Sequence, residues 1–253
     1  MDNKENPTTD SEDIKAFKRA RREEFSWEHP STKAERSFFW GHRKLPKEIW
    51  RAFRVFLEAI KGFLFFHYVT NCVTVFGSAR FGEEHEYYKA ARRIGQLLAE
   101  NKFTVMTGGG PGIMEAANRG AKERGGRTIG CNIDIAFEQR PNPYLDRWIT
   151  FRYFFIRKVM LSKYSRAFIV MPGGFGTLDE FFEMATLIQT RKMSKFPVVL
   201  FGTDFWQPLL DYMQNTLAEF GTIDYSDIRN IAITDSPEEV IEFINLSTPI
   251  HPK

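Results

Sequence analysis

Cysteine and histidine are scarce in this chain, and their scarcity limits the chemistry to be expected. Of 253 residues, 2 are cysteines and 5 are histidines. Cys72 and Cys131 lie in apolar runs, without CxxC spacing and without a neighbouring histidine. This pattern argues against a zinc site and fits a reducing compartment. We therefore expect both thiols in the hydrophobic core and no bound metal.

Blocks of like charge and long uncharged apolar segments are also missing. The formal net charge is +3, and the apolar stretch over 55–75 is interrupted by Glu58, Lys61, His67 and Asn71. That stretch lacks the roughly 18 uncharged apolar residues of a spanning helix. The first residues lack the apolar core of a secretory signal and are too acidic for a transit peptide. We expect a cytoplasmic protein whose partners are small molecules, with neither nucleic acid nor membrane among them.

The first 70 residues differ in pattern from the rest of the chain. Residues 1–36 mix both signs of charge with few aliphatic side chains and are interpreted as a mobile or loosely helical leader. Residues 37–70 form a predicted helical extension, because a proline follows Leu45 and apolar residues then recur at helical spacing. These apolar residues are Ile49, Phe53, Phe56, Leu57 and Ile60. We expect this amphipathic helix to dock on the body of the protein or on a partner subunit.

From residue 71 to 253 short apolar runs alternate with helical patterns, which predicts an α/β domain built on a mainly parallel sheet with helices on both faces. The predicted strands lie near Cys72–Phe76, Thr104–Met106, Thr128–Cys131, Trp148–Phe151, Ala167–Met171, Pro197–Phe201 and Ile231–Ile233. In open parallel sheets ligands bind beyond the carboxyl ends of the strands, where glycine-rich turns lead into helices.

Two glycine-rich turns follow predicted strands. The first, "TGGGPGIMEAANRG", contains Gly109 and Gly110 and places Glu115 in the first turns of a helix. The second, "MPGGFGTLDEFFE", contributes its own set of candidates, which are Gly173, Gly174, Gly176 and Thr177. Glycine lets a ligand approach the backbone, and a helix N-terminus supplies free N–H groups, so each turn is a candidate phosphate-binding site.

Other interpretations of these turns stay open. Both turns fit simple tight connections between a strand and a helix. Neither carries the lysine of a Walker A loop, and Ile113 occupies the place of the third glycine of a dinucleotide fingerprint. Asp134, after the next strand, could still imitate a ribose-binding acid.

Three charged residues and one hydroxyl are further candidates. Glu180 lies about one helical turn after Thr177, so a phosphate at the loop would bring an attached sugar near its carboxylate. Arg157 and Lys158 lie on the helix before the glycine-rich motif, and Ser78 follows the first strand. The plainer interpretations are a first-turn acid favoured by the helix dipole and a pair of surface salt-bridging cations.

The motifs "PGGFGTLDE", "TGGGPGIM" and "VFGSAR", with the Arg157-Lys158 pair, resemble the Lonely Guy family of cytokinin riboside 5′-monophosphate phosphoribohydrolases and their bacterial purine-nucleotide relatives. The resemblance covers roughly residues 70–245. It implies a Rossmann-like fold and a homodimer or higher homo-oligomer. It implies cleavage of a nucleoside 5′-monophosphate to free base and ribose 5-phosphate, without organic cofactor or metal.

By the same resemblance Arg157 and Glu180 are the catalytic residues, and the loop of Gly173, Gly174, Gly176 and Thr177 binds phosphate. The plant-type members continue their first glycine-rich turn with Gly-Leu-Met-Gly, whereas this chain has Glu115 at the last of these positions. Glu115 is therefore a candidate polar contact to the ribose or base, and cytokinin specificity is left open.

Overall fold

A computed structural model describes residues 44–134, 140–193, 196–229 and 231–247. The leader predicted over 1–36 lies outside these residues. The helices are α1 (Leu45–Phe66), α2 (Glu86–Glu100), α3 (Ile113–Glu123), α4 (Phe154–Tyr164), α5 (Phe175–Gln189), α6 (Thr203–Tyr212), α7 (Tyr225–Ile228) and α8 (Pro237–Ser247), with a π-helical segment Met213–Ala218 after α6. The strands are β1 (Cys72–Phe76), β2 (Thr104–Thr107), β3 (Thr128–Ile133), β4 (Arg147–Phe151), β5 (Ser165–Val170), β6 (Val198–Phe201) and β7 (Ile231–Thr234).

The strands form one sheet in the order β4-β3-β2-β1-β5-β6-β7. Every recorded pairing between them is parallel. The chain builds outward from β1 to β4 and then returns to place β5 on the other side of β1. Strand order therefore reverses between β1 and β5, which is where an open parallel sheet forms a ligand-binding crevice. The α/β fold predicted from the apolar runs is confirmed.

Alternate side chains of the strands pack on opposite faces, so the sheet separates two hydrophobic cores. On one face Cys72 and Phe76 of β1 pack with side chains of α4, α5 and α6. On the other face Val73 and Val75 pack with α2, α3 and α8. Both cysteines are free and buried, as expected. Helices therefore cover both faces, as the sequence pattern predicted.

The segment preceding the sheet is helical where it is described. α1 has a proline in its first turn and ends at Phe66, so the stretch over 55–75 is a helix followed by the buried strand β1. Among the described residues, no helix combines the length and the hydropathy that crossing a bilayer requires.

Candidate active site

A cleft of about 550 Å³ opens at the reversal of strand order between β1 and β5. Its lining consists of residues 76–80 at the end of β1, residues 174–178 after β5, and Met114, Arg157 and Glu180. The sequence explains why the cleft opens here. Glycines follow β1, β2 and β5, and they leave the ends of these strands without covering side chains. Ser78 is thus in the lining, as expected for a hydroxyl at the end of the first strand.

Backbone hydrogen bonds join the loops around the cleft. The Ser78 N–H donates to the Pro172 carbonyl at 3.0 Å, and the Ile113 N–H donates to the Ser78 carbonyl at 3.0 Å. Gly112 permits this approach, because it has a φ of 68° and a Cβ there would lie 2.5 Å from the Ser78 carbonyl oxygen. The loops after β1, β2 and β5 are therefore held together by main-chain contacts.

The loop after β5 presents bare main chain to the cleft. A Cβ at Gly174 or Gly176 would meet nothing within 4 Å, so both positions face open space. Thr177 is buried, and its N–H donates to the Gly174 carbonyl at 3.0 Å. Within the described chain, the N–H groups of Phe175 and Gly176 have no backbone acceptor. Free N–H groups at a helix N-terminus are suited to an anion, because the helix dipole adds partial positive charge.

Arg157 and Glu180 meet across this cleft, although they come from different helices. The Arg157 Nη1 atom lies 3.9 Å from Glu180 Oε1, and the two side chains are only 14% and 4% exposed. Arg157 is fixed at its other end, since its Nε donates to the Cys131 carbonyl at 2.8 Å. Gly108 leaves room for the guanidinium, because a Cβ there would lie 2.7 Å from Arg157 Nη2.

Burial dominates the electrostatics of Glu180. It raises the pKa of this carboxyl to about 7, while Arg157 and Lys158 oppose the shift. The Oε2 atom is buried and accepts no hydrogen bond from a described residue. The carboxyl is therefore divided between its two protonation states near neutral pH, as general acid–base catalysis requires.

Lys158 follows Arg157 in sequence but lies outside the cleft lining. Its Nζ atom lies 3.0 Å from Asp179 Oδ1 and 2.8 Å from Glu183 Oε2. Although burial lowers the pKa of Lys158, the bonds to Glu183 and Asp179 raise it above its ordinary value. The lysine thus connects α4 to α5 beside Glu180 and does not face the space of the cleft.

The first glycine-rich turn contributes less to the cleft than its sequence implied. The carbonyls of Gly109 and Gly110 accept from Asn142, through its N–H at 2.9 Å and its Nδ2 at 3.1 Å. Glu115 accepts from the Tyr88 hydroxyl at 3.2 Å. None of Gly109, Gly110 and Glu115 is in the cleft lining, and neither is Asp134.

Three residues contribute to the site in ways that the sequence did not indicate. Met114 lines the cleft, Gly108 makes room for Arg157, and the main chain of Cys131 orients it. Burial raises the pKa of the Cys131 thiol to about 12, so the residue contributes its carbonyl and not a nucleophile. Phe175, which is 93% exposed, is part of the cleft lining. The run of glycines was the one local signal for Gly108.

Metal ligands are not grouped in the part of the chain that the structure describes. No group of three His, Cys, Asp or Glu residues lies where it could hold an ion. The cleft lining also contains no lysine that could form a Schiff base.

Comparison with known proteins places this chain in a family. A family model described as "Possible lysine decarboxylase" matches residues 114–244, which is more than half of the chain. The protein belongs to that family, which is the Lonely Guy family that its motifs resemble.

Curated relatives of this Lonely Guy protein are named for nucleotide cleavage. A cytokinin riboside 5′-monophosphate phosphoribohydrolase of Rhodococcoides fascians is 29% identical over 58% of this chain and 76% of its own length. A probable enzyme of the same name from Oryza sativa subsp. japonica is 30% identical over 72% of this chain and 75% of its own length. A pyrimidine/purine nucleotide 5′-monophosphate nucleosidase of Escherichia coli (strain K12) is 27% identical, and the match covers 71% of this chain and 41% of that protein.

Solved structures confirm the Rossmann-like α/β fold of the family member. The structural genomics target TM1055 is 25% identical with a TM-score of 0.56, over 70% of this chain and 99% of its own. A molybdenum cofactor binding protein from Rippkaea orientalis is 27% identical with a TM-score of 0.53, over 70% of this chain and 96% of its own.

Proposed function

We propose that this protein hydrolyses the N-glycosidic bond of a nucleoside 5′-monophosphate, releasing the free base and ribose 5-phosphate. The observation that carries the proposal is the buried pair of Arg157 and Glu180, 3.9 Å apart, beside the open N-terminus of α5. The names of the curated relatives support the same class of reaction. AMP and a cytokinin riboside 5′-monophosphate are the two substrates to be tested first.

Phosphate binding would orient the substrate. The N–H groups at Phe175 and Gly176 and the uncovered backbone of Gly174 offer donors and space for a monoester. Glu180 is five residues after Phe175 in the same helix, which places it about 7 Å further along the helix axis. A 5′-phosphate at the loop would therefore bring the ribose alongside the Glu180 carboxylate. Binding energy from the phosphate would be converted into orientation at C1′.

Glu180 and Arg157 would then act on the glycosidic bond. Positive charge develops on the ribose ring as this bond breaks, and a buried carboxylate beside C1′ stabilises it. With a pKa near 7, Glu180 is also basic enough to accept a proton from the attacking water. Arg157, held by the Cys131 carbonyl, would favour the ionised form of Glu180 and bind a ribose or phosphate oxygen.

The test is an assay of AMP turnover. The protein is incubated with AMP, and adenine and ribose 5-phosphate are measured for the wild type and Glu180→Gln. We expect the wild type to release base and the variant to bind AMP with a turnover at least about a hundredfold lower. Glu242→Gln, which replaces an exposed carboxylate on α8, is the matched control and should retain activity. Equal rates for the wild type and Glu180→Gln would refute the assignment.

A second candidate is a nucleotide-binding or carrier protein that uses the same cleft without hydrolysis. The likeness to the molybdenum cofactor binding protein of Rippkaea orientalis favours it. Such a protein would bind its ligand saturably and leave AMP intact. Thermal-shift titrations with AMP, a cytokinin nucleotide and NAD, run beside the turnover assay, separate binding from catalysis.

A further inference from the structure

α1 has two faces with different surroundings. Its inner face packs on α4 and β4 and contains the buried residues Arg51, Gly62 and Phe66. Gly62 allows a close approach, because a Cβ there would lie 2.7 Å from the Met160 terminal methyl of α4. One side of the helix is thus packed on the body of the protein, and the opposite side points away from that body.

The opposite side, which we call the outer face of α1, is apolar along its length. Its eight large side chains are 40–69% exposed in the part of the chain that the structure describes: Ile49, Trp50, Phe53, Phe56, Leu57, Ile60, Phe63 and Leu64. The five apolar residues that predicted the helix all belong to it. The face that these residues form therefore does not dock on the described body of the protein.

The exposed area is of the size that stable association requires. Aromatic side chains carry about 150–250 Å² each and aliphatic ones less, so four of each at half exposure present roughly 700 Å². A standard protein–protein interface buries about 800 Å² per partner, and soluble monomers rarely expose a continuous apolar patch of this size.

We propose that the outer face of α1 packs against the same face of a second copy of this chain. Apart from Lys61 at its edge, the face is apolar, so its occupant must be largely apolar, and a twofold axis would pair it with an identical surface. The chain before α1 is a poorer occupant, because residues 1–43 contain 18 charged residues and only 8 large apolar ones, six of them aromatic. A membrane-surface helix normally turns a charged face to water, whereas the side of α1 opposite the apolar face is packed on α4 and β4.

The experiment is to measure the solution mass of the full chain by sedimentation or light scattering. The wild type should be an oligomer, and the double variant Phe53→Glu/Phe56→Glu should have about half its mass with an unchanged circular dichroism spectrum. Leu246→Glu, on an exposed side chain of α8, should retain the wild-type mass. A monomeric wild type, or an undiminished mass in the double variant, would overturn the proposal. So would cosedimentation with anionic vesicles, or a wild type that forms the oligomer only after deletion of residues 1–43.

The inner face of α1 carries a second, independent inference. The Glu58 Oε1 atom accepts hydrogen bonds from the N–H groups of Arg152 at 2.6 Å and Tyr153 at 3.2 Å. Tyr153 is the N-cap of α4, and α4 has no capping side chain and no first-turn acid of its own. In a capping box the N-cap N–H bonds to an acid of the same helix. Here a carboxylate of α1 fulfils that role.

This cap is one bond away from Arg157. The Tyr153 carbonyl accepts the Arg157 N–H at 3.3 Å, which is the first backbone bond of α4. Glu58 thus holds Tyr153 in place, and Tyr153 in turn holds the main chain of Arg157. We infer that Glu58 is a positioning residue for Arg157, an inference that rests on the proposed function. Since small displacements of a catalytic group cost large factors in rate, its loss should reduce turnover.

The test compares Glu58→Ala and Glu58→Gln with the wild type. We expect Glu58→Ala to lower kcat for AMP by about tenfold with little change in KM, because the phosphate loop belongs to α5. Glu58→Gln keeps an acceptor oxygen and should recover most of the activity. Glu48→Ala, whose carboxylate pairs with Arg51 within α1, is the control.

Hydrogen exchange supplies a readout that does not depend on turnover. Glu58→Ala should accelerate exchange of the amides of residues 152–157, and Glu48→Ala should not. Unchanged exchange in Glu58→Ala would overturn the inference whether or not the protein cleaves AMP. An inactive wild type with accelerated exchange in Glu58→Ala would instead refute the proposed function and keep Glu58 as the cap of α4.

Discussion

Replacing Glu180 by glutamine should remove a pH-dependent part of the stability of this protein. Burial raises the pKa of the folded carboxyl from 4.5 to about 7. The folded state therefore holds a proton that the unfolded chain releases at lower pH. The resulting stabilisation is fully present below pH 4.5 and is lost as the pH rises through about 7.

The size of the effect follows from these two pKa values. Between about pH 5 and about pH 8.5 the wild type should lose about 2.5 kcal/mol of unfolding free energy through this group. Glutamine does not titrate, so Glu180→Gln should lack this loss. For a chain of this size the difference corresponds to about 5–10 °C in Tm.

The assay is thermal unfolding of the wild type and Glu180→Gln in matched buffers at both pH values. Burying the glutamine amide changes the stability of the variant by the same amount at both pH values. The variant should therefore gain stability relative to the wild type as the pH rises. Glu242→Gln should follow the wild type, because that carboxylate is exposed. If the difference between wild type and Glu180→Gln were the same at both pH values, the folded carboxyl would have an ordinary pKa and our account of the site would be wrong.

Three glycine substitutions test the geometry of the cleft. Gly108→Ala places a methyl 2.7 Å from Arg157 Nη2, so we expect kcat for AMP to fall about tenfold with little loss of stability, and an unchanged kcat would contradict the packing. Gly174→Ala adds a methyl in open space, so the free energy of unfolding should change by less than about 0.5 kcal/mol. AMP binding, measured by thermal-shift titration, should weaken about tenfold, and Gly82→Ala is the control. Gly112→Ala combines a φ of 68° with a carbonyl oxygen 2.5 Å away, so denaturant unfolding should show a loss of about 2 kcal/mol or more.

Local patterns were sufficient for the elements that form the cleft. Short apolar runs bounded by turns predicted seven strands, and each predicted strand overlaps an observed one, with boundaries that differ by at most two residues. For example, the run at 167–171 overlaps β5 (Ser165–Val170) and extends one residue beyond it. These signals are strong because a strand buried on both faces needs apolar side chains throughout. The glycine-rich motif likewise indicated an open helix N-terminus.

Contacts between distant segments could not be read in this way. Arg157 depends on the Cys131 carbonyl and on the space at Gly108, and neither residue is near it in sequence. Lys158 adjoins Arg157 but points to Asp179 and Glu183, because neighbours on a helix differ in direction by about 100°. The apolar stripe of α1 predicted a helix, but its spacing could not tell which side would meet the body.

The sequence by itself determined the kinds of elements, the bare backbone after β2 and β5, and the presence of an acid and a cation that resemble those of a nucleotide-cleaving family. These properties depend on residues within one or two turns of each other. Tertiary structure alone decided that β5 pairs with β1, which opens the cleft, and that Arg157 and Glu180 meet there at 3.9 Å. It also decided the pKa of Glu180, because folding buries this carboxyl and the loss of its water raises the pKa to about 7.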